Sequence, residues 1–268
     1  MNRRELLRGG GLSFLSLAIT PPAVARSQLW PAGTLGAVSF TYDDGLASHL
    51  DVAMPALEQR GMRGSFYVTM QNMAPRWSDW VSAATRGHEL ANHTVHHPCG
   101  LSTFKPQRFV SREIAPMEAW LGSMAPADRV STYAYPCDVT DLGRGSPNRQ
   151  ARRYARLLAS EGIVAARTSE GAPNRPSTVL RQPYRLQALA VGYDATDIQT
   201  VFNYLASAVR SGHWAILVFH KLLVTAHAKG EVSAETHARI LDASQCLPLW
   251  SAPLGKVYET IRSHYVRR

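Results

Sequence analysis

Two adjacent carboxylates follow an apolar segment near the beginning of the sequence. Asp43 and Asp44 come directly after residues 39–42, whose pattern is typical of a strand, and they precede Gly45. Because neighbouring residues of an extended chain point to opposite sides, the two carboxylates can have different tasks at the C-terminal end of a strand. One could bind a cation while the other transfers protons. A polar turn that closes the strand is the alternative interpretation.

Several histidines lie together in residues 87–98. His93 and His97 are four positions apart, so one turn of chain can direct both imidazoles to one point. Neutral imidazoles bind borderline cations such as Zn²⁺, and a carboxylate from the Asp43–Asp44 pair would complete a site with open positions for water and substrate. His96, which lies between the two candidate ligands, is predicted to face solvent or to support a ligand.

Strand and helix patterns alternate along the rest of the chain. The predicted strands are 36–42, 64–69, 88–93, 132–136, 162–167, 186–191 and 214–220, and the predicted helices are 48–59, 75–86, 106–121, 148–160, 197–211, 233–241 and 254–265. Such alternation predicts right-handed βαβ units and a parallel sheet that is buried on both faces, in a closed or nearly closed barrel. An open doubly wound sheet is disfavoured because no Gly-x-Gly-x-x-Gly follows a strand. The long loop at 168–185 is predicted to lie beside the functional site.

The composition is that of a globular protein with an ordinary core. The chain has 268 residues, 45% of them hydrophobic, and a formal net charge of +9, which fits one large α/β domain or two small ones and excludes a disordered chain. A positive charge can indicate nucleic acid or another anionic partner. The arginines are scattered, however, and Arg152, Arg153 and Arg156 have the spacing of a solvated helix face. We therefore predict no nucleic-acid partner.

Residues 1–25 resemble a twin-arginine signal peptide. Arg3 and Arg4 precede an apolar stretch at 12–19 and a small-residue cleavage pattern at 23–25. The apolar stretch is too short to span a bilayer stably, and an amphipathic helix is the alternative. We predict export to the periplasm or the medium, no stable membrane span after cleavage, a linker at 26–35, and one domain over 36–268.

The chain has three cysteines, Cys99, Cys137 and Cys246. Export would permit disulfides, and the odd number leaves at least one thiol unpaired. Cys99 and Cys137 follow segments that we expect to converge, so a disulfide between them is the alternative interpretation. Buried free thiols are the preferred interpretation, because the sequence does not give the Cα spacing that a bridge needs.

The ordered motifs resemble those of the polysaccharide deacetylases of carbohydrate esterase family four. Residues 41–45 match the family's Thr-Phe-Asp-Asp-Gly with one aromatic exchange. Residues 87–97 match Gly-His-Glu-x-x-Asn-His and the His four positions later, and residues 217–220 match an apolar strand that ends in Leu-x-x-His. The resemblance extends from about residue 36 to residue 265. It implies a distorted (β/α)7 barrel, similar to a TIM barrel.

The resemblance also implies a role for each motif residue. Asp43 would be the general base and His220 the general acid. Asp44, His93 and His97 would bind a divalent metal, with Zn²⁺ as first choice and Co²⁺ or Ni²⁺ as alternatives. Hydrolysis of an acetamide needs a polarised carbonyl, an activated water and a proton for the departing amine, and these residues are of the types that meet those needs.

The third motif departs from the family pattern. Many members have Arg-Pro-Pro-Tyr-Gly, whereas residues 134–138 are Ala-Tyr-Pro-Cys-Asp. The Pro is kept, so we expect the Cys137 N–H to bind the oxyanion. The Arg that orients the catalytic Asp in the family is missing, and Arg167, at the end of the fifth predicted strand, is the candidate to orient Asp43. A surface ion pair is the alternative for Arg167. The fourth motif, an Asp-Trp pair, is not recognisable, and residues 167–170 occupy its place.

These motifs predict a hydrolase that removes acetyl groups from an N-acetylated polysaccharide, either of the cell envelope or extracellular. An O-acetyl esterase and a hydrolase of a non-sugar amide are alternatives, because the same residues can cleave both bonds. A non-catalytic carbohydrate-binding barrel is a third. It would use aromatic residues such as Trp77, Trp80, Tyr184 and Trp250, but would not need a complete catalytic set.

Overall fold

The computed structural model describes residues 29–124, 129–143 and 145–266. The strands are β1 (Gly36–Asp44), β2 (Ser65–Val68), β3 (Glu89–Asn92), β4 (Thr132–Ala134), β5 (Ala165–Arg167), β6 (Leu189–Ala190), β7 (Trp214–Phe219), β8 (Lys221–Leu223), β9 (Glu231–Ser233) and β10 (Leu249–Ser251). The α-helices are α1 (Met54–Glu58), α2 (Met70–Met73), α3 (Trp77–Thr85), α4 (Pro106–Phe109), α5 (Ala115–Met124), α6 (Pro147–Ser160), α7 (Pro176–Val179), α8 (Ile198–Ser211), α9 (Ala234–Gln245) and α10 (Leu254–Val266). Wider π-type turns, His49–Ala53 and Val110–Ile114, lead into α1 and α5.

Strand β1 lies at the centre of a parallel sheet whose strand order is β5-β4-β3-β2-β1-β7-β6. Asp43 is paired with Tyr67 of β2, and Tyr42 is paired with Phe219 of β7. Strand β10 runs parallel to the first residues of β1. Since all these strands are parallel, their C-terminal ends lie at one rim, where an α/β barrel carries its functional residues.

The two edges of the sheet approach each other. Arg167 of β5 forms a parallel bridge with Leu186, and the Leu186 N–H donates to the Ala166 carbonyl at 3.0 Å. Leu186 lies just before β6, so this bridge nearly closes the barrel. The predicted distorted (β/α)7 barrel is therefore confirmed.

Strand β1 contributes to two packing layers because its side chains alternate between the faces of the sheet. Val38, Phe40 and Tyr42 are fully buried in the cluster that also contains Trp80 of α3. On the other face, the Ser39 hydroxyl donates to the Ala252 carbonyl at 2.8 Å and accepts from the Trp214 indole at 3.0 Å. Burial on both faces fixes the register of β1 and thereby places its terminal carboxylates at the rim.

Local sequence signals explain the best-defined helices. Helix α8 begins where the Asp197 carboxylate accepts from the Thr200 N–H at 2.9 Å, and it ends at Gly212, whose φ of 71° is accessible at little cost only to glycine. In α9, the Ser233 hydroxyl accepts from the Thr236 N–H at 3.0 Å. Ser48 is different, because its hydroxyl accepts from the Leu222 N–H at 3.2 Å and does not cap the following helix.

Two differences from the prediction lie in the last third of the chain. Strands β8 and β9 form a small parallel pair in the segment after β7, where no strand was predicted. The sixth strand has two residues instead of six. Both differences arise in segments whose pairing depends on distant partners, and such segments carry a weak local signal.

No helix among the described residues is long and apolar enough to cross a membrane. The predicted leader, residues 1–25, lies outside the described residues. The predicted domain boundaries stay predictions.

Candidate functional site

The C-terminal end of β1 places two carboxylates in different surroundings. Asp43 is 4% exposed inside the sheet, whereas Asp44 is half-buried and has a φ of 81°. This left-handed conformation is unfavourable for a residue with a Cβ atom. The Asp44 carbonyl accepts from the Thr69 hydroxyl at 3.1 Å and from the Asn72 amide at 2.9 Å. These bonds hold the turn that separates the two carboxylates.

Asp44, His93 and His97 form a cluster whose ligand atoms all lie within 4.8 Å of one another. The Asp44 Oδ1 atom is 3.5 Å from Nε2 of His93 and 3.5 Å from Nε2 of His97. Two ligands at tetrahedral positions around Zn²⁺, about 2.1 Å from the ion, are about 3.4 Å apart. The donor types and their spacing therefore fit a divalent transition metal.

The orientation of His93 also fits a metal ligand. His93 is buried, and its Nδ1 atom lies 3.0 Å from the Ala134 carbonyl. A carbonyl only accepts, so Nδ1 carries the proton and Nε2 is left with a lone pair towards Asp44. Burial lowers the pKa of His93, but the nearby Asp43 and Asp44 carboxylates outweigh burial and raise it. The two carboxylates thus place negative charge beside His93.

Side-chain hydrogen bonds hold the loop that carries His97. Thr94 and His97 have φ values of 70° and 55°. The Asn92 side chain accepts from the Thr94 N–H at 2.8 Å, and the Thr94 hydroxyl accepts from the His97 N–H at 2.9 Å. The His96 ring is exposed and contacts the Glu113 carboxylate at 3.0 Å, and it lies outside the cluster of Asp44, His93 and His97.

Arg167 lies directly against Asp43. Its NH1 atom donates to Asp43 Oδ2 at 3.1 Å, its NH2 atom donates to Asp43 Oδ1, and its guanidinium stacks over the Tyr67 ring at 4.4 Å. Arg167 is 1% exposed, which excludes the surface ion pair. Burial raises the pKa of Asp43, but Arg167, His93 and His220 outweigh it and hold the pKa below its ordinary value. A buried, paired and ionised carboxylate with fixed orientation results.

His220 follows β7 and reaches the same rim. It contributes to lowering the pKa of both Asp43 and Asp44, whose carboxylates burial alone would make less acidic. Its carbonyl accepts from Nε2 of His49 at 2.7 Å, and the His220 and Tyr193 ring centroids are 4.9 Å apart. The Nδ1 atom of His220 is buried and has no hydrogen-bond partner among the described residues.

Sequence reasoning missed His49 and Tyr193. His49 lies within a predicted helix, and Tyr193 lies in the turn after β6. The Nδ1 atom of His49 accepts from the Leu46 N–H at 3.2 Å, so Nε2 carries the proton that it donates to the His220 carbonyl. No local pattern identifies either residue, because each acts through a contact with the end of β7.

Cys137 lies where the third motif was predicted, directly after Pro136 at the end of β4. Cys137 and Asp138 have φ values of 53° and 55°. Cys137 forms a disulfide with Cys99, with the two Cα atoms 5.4 Å apart. The preference for buried free thiols is therefore wrong for this pair, because convergence of the two loops brings their Cα atoms within bridging distance. Cys246 is a free, exposed thiol.

Residues 33–158 match the family model described as "Polysaccharide deacetylase". A gellan lyase from Bacillus sp is 30% identical over 155 residues, which are 58% of this chain. The chain spans only 6% of that protein's length.

Solved structures show the same fold at low sequence identity. A protein from Mycobacterium smegmatis, provisionally described as a polysaccharide deacetylase, has a TM-score of 0.60 and 15% identity, covering 88% of this chain and 93% of the other. Bacillus subtilis PdaA, a family 4 carbohydrate esterase, has a TM-score of 0.51 and 13% identity, and the match covers 82% of this chain and 80% of the other. The catalytic domain of a peptidoglycan N-acetylglucosamine deacetylase from Eubacterium rectale has a TM-score of 0.52 and 13% identity, and the match covers 82% of this chain and 89% of the other. Residues 33–158 thus match the polysaccharide deacetylase family model, and the motif residues of this chain are gathered at one rim.

Proposed function

We propose that this protein is a metal-dependent hydrolase that removes acetyl groups from an N-acetylated polysaccharide, either of the cell envelope or extracellular. The observation that carries the proposal is the convergence of three units at one rim. These are the Asp43–Arg167 pair, the cluster of Asp44, His93 and His97, and His220. A family member without catalytic function would not need all three units.

Asp44, His93 and His97 would hold the metal, and their imidazole and carboxylate donors suit Zn²⁺ best, with Co²⁺ or Ni²⁺ as alternatives. A divalent cation there would polarise the substrate carbonyl and lower the pKa of a bound water. The Ala134 carbonyl keeps His93 in the tautomer that directs Nε2 to the site.

The other residues move protons and bind charge. Asp43 takes a proton from the attacking water while the water oxygen bonds to the carbonyl carbon. Arg167 holds the Asp43 carboxylate in the orientation that this transfer needs. The Cys137 N–H donates to the oxyanion that forms on the carbonyl oxygen. His220 donates a proton to the nitrogen as the C–N bond breaks, which yields acetate and a free amine.

The substrate class and the location rest on separate support. A structural relative, the Eubacterium rectale protein, acts on peptidoglycan N-acetylglucosamine according to its description. The twin-arginine pattern at Arg3 and Arg4 would deliver this chain to the cell envelope.

Replacing Arg3 and Arg4 by Lys and fractionating cells tests export. Unchanged envelope localisation would contradict the twin-arginine route.

A second candidate, an O-acetyl esterase, is favoured by one observation. The Nδ1 atom of His220 has no hydrogen-bond partner among the described residues, so no side-chain hydrogen bond at Nδ1 orients the ring as a proton donor. An alkoxide leaving group needs a proton less than an amine does, so an ester would tolerate a weaker acid.

The carbohydrate-binding alternative receives little support from the aromatic residues. Trp80 is fully buried in the core, whereas Trp77 is 41% exposed and packs edge-on against Trp120, with the ring centroids 4.1 Å apart. Tyr184 and Trp250 are half-buried. These four residues do not form an exposed aromatic platform.

The decisive experiment measures acetate released from a panel of N-acetylated and O-acetylated glycans by the Zn²⁺-loaded protein. The matched control is Asp43→Asn, which keeps the shape of the side chain and loses the proton acceptor. We expect release from at least one N-acetylated glycan by the wild type and not by the control. Release from O-acetylated glycans alone would favour the esterase, and no release from any would contradict the proposal.

A further inference from the structure

The segment Cys137–Asp138 has an unusual backbone. Both residues are in the left-handed region, with φ values of 53° and 55°, and neither is glycine. Consecutive residues in this region are unfavourable when they carry a Cβ atom, and such backbone persists only when its surroundings impose it. The Cys137 N–H belongs to this segment, so whatever imposes the conformation also aims that donor.

On one side, the segment is tied to the loop of a proposed metal ligand. The Cys99–Cys137 disulfide joins it to a residue two positions after His97. The Cys99 Sγ atom lies 3.8 Å from Nδ1 of His97. The disulfide therefore fixes the distance between the His97 loop and the Cys137 N–H.

On the other side, the segment is tied to the strand end that carries Arg167. The Asp138 carboxylate accepts from the Ser169 N–H at 2.8 Å and also from the Ser169 hydroxyl. Ser169 lies two positions after Arg167, which contacts Asp43. Asp138 thereby connects the segment to the residue that orients the proposed base.

We propose that the Cys99–Cys137 disulfide and the Asp138–Ser169 hydrogen bonds are positioning elements that together hold the Cys137 N–H against the reacting carbonyl. This inference rests on the proposed function, because it assigns the N–H to the oxyanion of that reaction. Loss of either tie lets the segment relax to ordinary backbone, which moves the donor away. A small displacement of one oxyanion donor reduces the rate of the chemical step and leaves substrate binding intact.

The disulfide also makes the activity sensitive to reduction. Both Cys99 and Cys137 are exposed, so a phosphine reductant can reach the S–S bond. The bond takes up two electrons and two protons to give two thiols, while the phosphine becomes a phosphine oxide with an oxygen from water. Reoxidation by oxidised glutathione restores the bridge and releases two thiols of glutathione.

The first test compares kcat, KM and metal content for Cys99→Ser and for Cys246→Ser, whose thiol is free and exposed. We expect Cys99→Ser to lower kcat about 10–100-fold with KM and metal content unchanged, and Cys246→Ser to have no effect. Phosphine treatment of the wild type should give the same loss, reversed on reoxidation. A kcat for Cys99→Ser equal to that of the wild type would overturn the inference, as would a loss that follows the metal content.

The second test compares two variants of Asp138. If the Asp138–Ser169 hydrogen bonds were merely structural, the two variants would not differ in kcat. Asp138→Asn keeps an acceptor for the Ser169 N–H and tolerates the left-handed region, whereas Asp138→Ala does neither. We expect Asn to retain most of kcat and Ala to lose about tenfold or more. Equal kcat values for the two variants, or a change confined to the melting temperature, would contradict the positioning role.

A failure of the proposed function can be told apart from a failure of this inference. If the wild type releases acetate and Cys99→Ser does so equally fast, only the inference fails. If the wild type releases none, the proposed function fails, and hydrogen exchange of the Cys137 amide in wild type and Cys99→Ser then decides the positioning role. Faster exchange in the variant supports it, and equal exchange overturns it.

Discussion

Polar side chains are gathered at both ends of the barrel, but the two groups are built differently. At the N-terminal end, Glu89 accepts from the Ser65 hydroxyl at 2.6 Å, the Thr132 hydroxyl at 2.7 Å and the Gly255 N–H at 2.9 Å. These residues are joined by short hydrogen bonds on ordinary backbone. At the C-terminal rim, five residues other than glycine have positive φ: Asp44, Thr94, His97, Cys137 and Asp138.

The difference separates a structural network from a functional site. Buried polar groups with satisfied partners add rigidity, whereas unpaired atoms and strained backbone are typical of sites that act on a ligand. His220 Nδ1 and Arg167 Nε, at the rim, are among several buried side-chain atoms without hydrogen-bond partners in the described residues, so the strained backbone is the clearer difference. The family motif is thus divided, because His88 and Glu89 belong to the structural end and His93 and His97 to the functional rim.

The largest expected effect comes from removing a proposed metal ligand. His97→Ala should lose most bound metal and all measurable deacetylation, because one of the three proposed protein ligands is gone. The matched control is His96→Ala, since the exposed His96 ring contacts Glu113 and not the cluster. Elemental analysis after dialysis measures the metal. Full occupancy in His97→Ala would show that the ligand assignment is wrong.

Asp43→Asn should reduce kcat by about 10²–10⁴-fold, the range for loss of one positioned acid or base. Metal should stay bound, because Asp44 and not Asp43 lies in the ligand cluster. Steady-state kinetics together with metal analysis separates the two carboxylates. Parallel loss of metal and activity would instead make Asp43 a ligand.

His220→Ala should damage amide hydrolysis more than hydrolysis of an activated aryl acetate. The amine leaving group needs a proton and the phenolate does not, so we expect a loss of about 10²-fold or more for the amide and much less for the ester. The measurement is kcat/KM for an N-acetyl glycan and 4-nitrophenyl acetate in both proteins. Small and equal effects would remove His220 from the acid role.

The smallest effect on activity is expected at the other end of the barrel. Glu89→Ala leaves the Ser65 and Thr132 hydroxyls without their acceptor, which should lower the free energy of unfolding by about 1–3 kcal/mol. Per folded molecule, kcat should be unchanged. Denaturant unfolding and kinetics on the same preparation check both statements. A large fall in kcat with unchanged stability would erase the distinction between the two ends.

The sequence by itself determined the parallel α/β barrel and the motif residues. Apolar strands, helix periodicity and the order of Asp43–Asp44, His93, His97 and His220 are local features. Parallel strands bring their C-terminal ends to one rim whatever the details of packing. Convergence of these residues therefore followed from local pattern and topology.

Only the tertiary structure decided which distant residues complete that rim. Arg167 was one candidate to orient Asp43, with a surface ion pair as the alternative, until burial and two hydrogen bonds placed it there. The Cys99–Cys137 bridge and the His49 support of the His220 carbonyl join residues far apart in sequence. Such contacts depend on strand register and loop conformation, which many long-range interactions set together and no short stretch of sequence encodes.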